Sequence, residues 1–213
     1  MTAAAVEEYI LSHMDEEGEL LSELSRDASV NLLRPRMLSG HLQGRVLKMF
    51  CRMFSPRRVL EIGTYTGYAT LCMAEGIPED AHIHTVEIND EMEDFITKYV
   101  SRSPHKEKIK LYIGDALEII PTLDEGFDMV FIDADKRLYS EYYDLIFPKV
   151  RQGGIILVDN TLWDGKVIED IVASDKQTIG IIAFNEKIKK DQRVEKVILP
   201  LRDGLTIIRK NYE

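Results

Sequence analysis

The chain reads as an α/β fold, a mostly parallel sheet covered by helices and closed by an antiparallel addition at its end. Three observations predict this. Residues 59–62 are a short apolar run closing on an acid, which passes through Gly63 and Gly67 into an apolar, helix-compatible segment at 69–74. That order is strand, tight turn, helix. Downstream, strand-like and helix-like runs alternate, the pattern of βα units and so of parallel strands. Finally, residues 193–199 and 205–209 are two strand-like runs joined through the turn-prone stretch 200–204, which predicts a paired terminal addition.

Taken in order, residues 3–12 and 15–27 have helical apolar spacing, with Val6, Tyr9 and Ile10, then Leu20, Leu21 and Leu24, on the faces expected to be buried. The acidic run 15–19 suits a solvated turn and a first helical turn. Arg34-Pro35-Arg36 interrupts the pattern. Ser39 is a candidate cap for a helix running to Phe54, whose Leu42, Val46, Leu47, Met49, Phe50 and Met53 form an apolar face expected in the core. Pro56 ends it. After the first strand, further strands are expected at 82–87, 109–113, 127–132 and 154–158, with helices at 91–101, at 116–120, within 139–150 as far as Pro148, and over most of 178–190. Neither a repeat nor a linker interrupts the series. A single domain is therefore expected, with a helical cap over 1–55 and the α/β core over 56–213.

At 213 residues the chain is long enough to bury a substantial core. Its 27 basic and 37 acidic side chains give a net charge of −10, which opposes nonspecific binding to phosphate backbones and favours a small-molecule partner over nucleic acid. The run from Arg102 to Lys106, with Lys108 and Lys110, is either a local basic patch or a solvated loop. Cys51 and Cys72 stand apart from any metal-like pairing, which points to a reduced, cytoplasmic setting. His82 and His84 alternate around Ile83 as strand-surface residues would, and the five histidines suggest no ligand cluster. Neither a secretory leader nor a stretch of membrane-spanning length is expected.

The glycine turn brings backbone close to a ligand and leaves free N–H groups at a helix start, which suits a nucleoside-bearing cofactor. A dinucleotide site wants G-x-G-x-x-G under its diphosphate. Here the pattern is Glu61-x-Gly63-x-x-x-Gly67. An acid in that place would repel a diphosphate and suits the cationic end of an amino acid, so S-adenosylmethionine (SAM) is favoured over NAD. An ordinary βα turn has the same elements. Glu87 ends the second strand at the distance expected of a ribose-binding acid, or is simply a solvated strand-end acid. Asp115, after the third strand, suits a helix cap, a place facing the adenine, or both.

The fourth and fifth strands end in Asp133-Ala134-Asp135-Lys136 and Asp159-Asn160. If these strands are neighbours, roughly 4.8 Å apart, Asp133, Asp159 and Asn160 come together. Two carboxylates and an amide carbonyl make a hard-oxygen site for Mg²⁺, with Mn²⁺ or Ca²⁺ also admitted. The same residue types are common in turns and caps. Lys136 is placed to take a proton from a substrate oxygen, because a nearby cation lowers the pKa of both groups. Arg137 is a poor base.

Together, the stretches Leu60 to Tyr68, Val130 to Lys136 and Val158 to Gly165 resemble the cation-dependent O-methyltransferases of the caffeoyl-CoA and catechol group, over about residues 37–209. The resemblance implies a Rossmann-like class I SAM-dependent methyltransferase fold with a seven-stranded sheet, and a homodimer. It implies Asp133, Asp159 and Asn160 as metal ligands and Lys136, beside Asp133, as the catalytic base. Glu61, Gly63, Thr64, Glu87, Asp115, Ala116, Asp133 and Asp135 would line the SAM site, and the segment 37–40, with Met37 and Ser39, would close over its methionine end. Ala69 stands at a further SAM-contacting position, where relatives often carry a serine. Ala134 replaces the bulky residue of the animal catechol enzymes, which puts the chain nearer the plant and bacterial branch. Trp163 either walls the acceptor pocket or packs its loop. The implied reaction moves the methyl of SAM to one hydroxyl of an aromatic vicinal diol. A tRNA hydroxyuridine acceptor, a noncatalytic SAM- or metal-binding module, and an NAD dehydrogenase are the rival readings.

Overall fold

The computed structural model describes residues 3–212. The helices are α1 (Ala3–Ser12), α2 (Glu19–Asn31), α3 (Gly40–Phe54), α4 (Tyr68–Gly76), α5 (Glu93–Val100), α6 (Ala116–Thr122), α7 (Tyr139–Ile146) and α8 (Lys176–Lys190). The strands are β1 (Arg58–Ile62), β2 (His82–Glu87), β3 (Ile109–Ile113), β4 (Phe127–Ile132), β5 (Val150–Val158), β6 (Val194–Leu199) and β7 (Leu205–Lys210). They form one seven-stranded sheet in the order β3-β2-β1-β4-β5-β7-β6. The first five pair in parallel, and β7 runs antiparallel to both β5 and β6.

The inner strands are apolar on both faces because helices cover both. Val130 and Ile132 of β4 pack with Tyr139, Tyr143 and Ile146 of α7 and Phe184 of α8. Met129 and Phe131, one residue out of phase, pack on the other face with Leu47 and Cys51 of α3 and Met73 of α4. α2 is anchored separately, with Leu21, Leu24 and Ala28 against Tyr68 and Leu71 of α4 and Tyr99 of α5. Among the described residues, no helix is long and apolar enough to cross a membrane.

Several sequence expectations are corrected. Val6, Tyr9 and Ile10 of α1 are exposed, since that helix carries an apolar stripe without reaching any of the three core clusters. Met49 and Met53 are exposed as well: Leu47 and Cys51 occupy the face of α3 turned to the core, and a residue two positions on points about 200° away. Ser39 makes no capping hydrogen bond, because its backbone is already helical (φ −57°, ψ −36°) where a side-chain cap wants an extended residue. α2 begins at Glu19, so only the end of the acidic run enters it. β5 starts at Val150, four residues before the expected glycine. His84 is no surface residue, being 2% exposed.

Candidate functional site

The strand order reverses at β1, which has β2 on one side and β4 on the other. In such sheets the carboxyl ends beside the reversal leave a crevice for ligands. Ile62 is in register with Ile132, and Ile132 with Val158. The Asp133 N–H donates to the Ile62 carbonyl at 2.9 Å, and the Asp159 N–H to the Ile132 carbonyl at 3.0 Å. Gly63, Asp133 and Asp159 therefore follow adjacent strand ends. The condition set for gathering the acids, neighbouring fourth and fifth strands, is met. Gly63 is required here, since its φ is +96° and a Cβ would fall 2.1 Å from the Asp133 carbonyl oxygen.

Asp133 Oδ1 accepts from Lys136 Nζ at 2.7 Å. Lys136 opens a 3-10 turn at 136–138 capped by Asp135, whose carboxylate accepts from the Arg137 N–H at 3.0 Å and also pairs with the Arg137 guanidinium. Beneath that turn lies Gly180 of α8, where a Cβ would meet the Lys136 carbonyl oxygen at 2.5 Å. Asp159 is 3% exposed. Its Oδ2 accepts from Gln43 Nε2 at 2.7 Å and its Oδ1 from the Asn160 N–H at 2.9 Å. Burial, and after it the charge of Asp133, push the Asp159 carboxyl up to about 6 despite the Gln43 hydrogen bond. Asn160 takes the left-handed backbone region at φ 59°. The Tyr139 hydroxyl donates to the Asp159 carbonyl at 3.0 Å. Lys136 Nζ sits 5.6 Å from the Tyr139 ring and 6.0 Å from the Trp163 ring. The indole Nε1 of Trp163 is buried with no hydrogen-bond partner among the described residues.

On the other side of the reversal, Glu61 is fully buried. Its Oε2 accepts from the hydroxyls of Thr70 and Thr85, while its Oε1 has no partner among the described residues. Burial pushes its carboxyl up to about 8, against the pull of those two hydroxyls. Glu87 is not a free solvated acid, because its carboxylate accepts from the Tyr65 N–H at 2.7 Å and the Asn89 N–H at 2.9 Å, closing the glycine turn. Asp115 does cap α6, accepting from the Leu117 N–H at 2.8 Å, and Ala116 is buried as that helix's first residue.

Met37, Ser39, Gly63, Thr64, Ala69 and Asp133 line one cleft, together with Leu38 and Phe131. Glu61 and Glu87 belong to β1 and β2, Ala116 opens α6, and Asp115, Asp135, Lys136, Asp159 and Asn160 lie in the connections that follow the strands. Sequence reasoning missed Gln43, Thr70, Thr85, Tyr139 and Gly180, which hold the acids and the lysine turn without a motif of their own. The suspected basic patch is largely neutralised: Arg102 pairs with Glu23, and Lys108 is 7% exposed and pairs with Glu79.

Comparison with known proteins bears on this arrangement. Residues 11–211 match the O-methyltransferase family. A curated relative from Dictyostelium discoideum, a probable caffeoyl-CoA O-methyltransferase 2, is 31% identical over 95% of this chain and 90% of its own length. The solved structure of the O-methyltransferase TomG from Streptomyces achromogenes, in complex with SAM and involved in tomaymycin synthesis, superposes with a TM-score of 0.90 at 28% identity, covering 98% of this chain and 96% of the other. An O-methyltransferase from Bacillus cereus in complex with SAH gives 0.89 at 27% identity, with 97% of each chain covered.

Proposed function

Because this chain belongs to the O-methyltransferase family, we propose that it transfers the methyl of SAM to one hydroxyl of a vicinal dihydroxy aromatic acceptor, with a divalent cation held by Asp133, Asp159 and Asn160. Its fold is the Rossmann-like class I methyltransferase fold with an antiparallel terminal strand. The observation that carries the proposal is the arrival of Asp133 and Asp159 at adjacent strand ends, with the Lys136 amine 2.7 Å from Asp133. The relative from Dictyostelium is named for caffeoyl-CoA, whose ring bears two adjacent hydroxyls.

The residues suit such an ion. The donor set is all oxygen, which favours Mg²⁺ and admits Mn²⁺ or Ca²⁺. Asp159, held near 6 by burial and the adjacent charge of Asp133, is a carboxylate that a cation would relieve. Bound there, the ion would polarise the acceptor's hydroxyls and lower their pKa. In its neutral amine form Lys136 would take the proton of the attacking hydroxyl at its Nζ, which the turn braced on Gly180 holds beside Asp133. Arg137 is tied to Asp135 and keeps its proton. Trp163 walls the acceptor side, with its unpartnered indole N–H available to an acceptor oxygen.

SAM would lie in the cleft lined by Met37, Ser39, Gly63, Thr64 and Ala69. Once ionised, Glu61 would offer its unpartnered Oε1 to the ammonium of the methionine end, and Glu87, which already accepts from the Tyr65 N–H, would accept from the ribose hydroxyls. The protein's main contribution is to line up the oxygen and the methyl. The ion pairs of Arg102 and Lys108 speak against an RNA acceptor. A cytoplasmic homodimer accompanies this reading: Cys51 and Cys72 are free thiols, and Met49, Met53 and Phe54 offer an exposed apolar strip on α3.

The test is methyl transfer from isotopically labelled SAM to a panel of catechols, with and without chelator, for the wild type and Lys136→Ala. The expected result is loss of turnover with chelator and a kcat about 10²–10⁴-fold lower for the variant, with SAM affinity retained. Near-normal turnover in excess chelator would overturn the proposal.

A further inference from the structure

A second cluster lies at the opposite, amino-terminal end of the strands. His82 and His84 alternate along β2 and so project from one face of the sheet. Over them comes Glu125, from the connection between α6 and β4. His82 Nε2 is 2.9 Å from Glu125 Oε2, and His84 Nε2 is 3.5 Å from Glu125 Oε1. One ligand atom from each of the three residues lies within 4.8 Å of the others.

From this geometry we infer a binding site for a zinc-like transition metal, formed by His82, His84 and Glu125 and separate from the acid cluster. Bonds of 2.0–2.1 Å in a tetrahedral site put ligand atoms about 3.3 Å apart; the histidines reach different oxygens of Glu125, at 2.9 and 3.5 Å, so a small turn of the carboxylate brings one oxygen to both. Two imidazoles and one carboxylate suit Zn²⁺ or Co²⁺ and are poor ligands for Mg²⁺. Water takes the fourth position.

The decisive residue is His84. It is 2% exposed, and its Nε2 has no hydrogen-bond partner among the described residues. Its Nδ1 lies 2.9 Å from the Tyr112 hydroxyl, and the two rings stack at 5.6 Å. With the proton on Nδ1, the ring donates to the Tyr112 oxygen and turns the Nε2 lone pair toward the carboxylate. A partner on the far nitrogen is what orients a ligating histidine. The side chains of His82 and Glu125 are 24% and 26% exposed, which leaves a path for the ion.

Two cations compete for Glu125. Arg58 Nε lies 2.9 Å from Oε2 in an ion pair, and Lys110 Nζ is 4.0 Å from Oε1. Both side chains are over 40% exposed and free to withdraw into water. The metal therefore displaces the Arg58 ion pair, and removing Arg58 should tighten binding, the opposite of what a purely structural ion-pair cluster would do. Occupied, the site ties the connection before β4 to β2.

The experiment titrates chelator-stripped protein with ZnCl₂ and CoCl₂, following bound zinc after gel filtration and the visible absorption of tetrahedral cobalt. Asp159→Ala removes the acid cluster, and wild type in excess MgCl₂ gives the same separation without a substitution. The expected result is one zinc per chain in both, binding weakened at least ~100-fold in His82→Ala and Glu125→Gln, and binding several-fold tighter in Arg58→Gln. Methyl transfer by His82→Ala should match the wild type. Zinc held equally by His82→Ala, lost with Asp159→Ala, or no tighter in Arg58→Gln would overturn the assignment.

Discussion

Replacing Glu61 by Gln isolates one buried proton. Glu61 is fully buried, and burial lifts its carboxyl from the ordinary 4.5 to about 8. In the unfolded chain it ionises near 4.5. Between those two values the folded protein holds one proton more than the unfolded chain, so stability falls as pH rises through the window and levels off above about 8. At about 1.36 kcal/mol per pH unit, the step from about pH 5.5 to 8 is worth about 3 kcal/mol for this one group. No discount for solvent screening applies at zero exposure. Glutamine keeps the size and the acceptor oxygen but cannot ionise. Relative to wild type, Glu61→Gln should therefore gain about 3 kcal/mol between those two pH values. Asp159 titrates in the same window, but it does so in both proteins and cancels in the difference. Urea unfolding of both proteins at each pH, with chelator and without SAM, measures it. A difference between the two proteins that stays constant within about 0.5 kcal/mol would refute the burial argument, whatever the absolute stabilities.

Two further substitutions probe the supports of the site. Gly180→Ala must push α8 off the Lys136 turn, because its Cβ meets backbone on both Lys136 and Arg137 at under 3 Å. We expect a loss of about 1–3 kcal/mol in thermal unfolding, and a kcat that falls while the KM for SAM holds. Gln43→Leu removes the 2.7 Å donor to Asp159. It should cost about 1–3 kcal/mol at pH 8, where Asp159 is ionised, and clearly less at pH 5, below its value of about 6, in paired urea unfolding curves.

The strands and the acids at their ends were legible in the sequence because both follow from local chemistry. β4 is a largely apolar run and β2 sets Ile83 and Val86 among His and Thr, and the observed limits of both coincide with the expected ones. Asp133 and Asp159 could be singled out because a parallel sheet concentrates its ligand contacts where strands end. Periodicity also says which residues share a face, but not what that face meets. Met49 and Leu47 both belong to apolar spacings on α3, and only the position of α4 decides that one is buried and the other exposed. His82 and His84 illustrate the same limit. Their alternation puts them on one face of β2, whereas Tyr112 and Glu125, which make that face an interior, arrive from elsewhere in the chain.

The supports of the site lie further still from local pattern. Gln43 stands 116 positions before the carboxylate it holds, and Gly180 meets Lys136 only because α8 packs on that turn. Such residues leave one kind of trace. A buried amide without a partner costs about 1–3 kcal/mol, so a glutamine on the core-facing side of an amphipathic helix implies that something receives it. For Gln43 the receiver is an acid that burial had already made reluctant to ionise. A donor at 2.7 Å stabilises its charged form, the form the proposed cation would require.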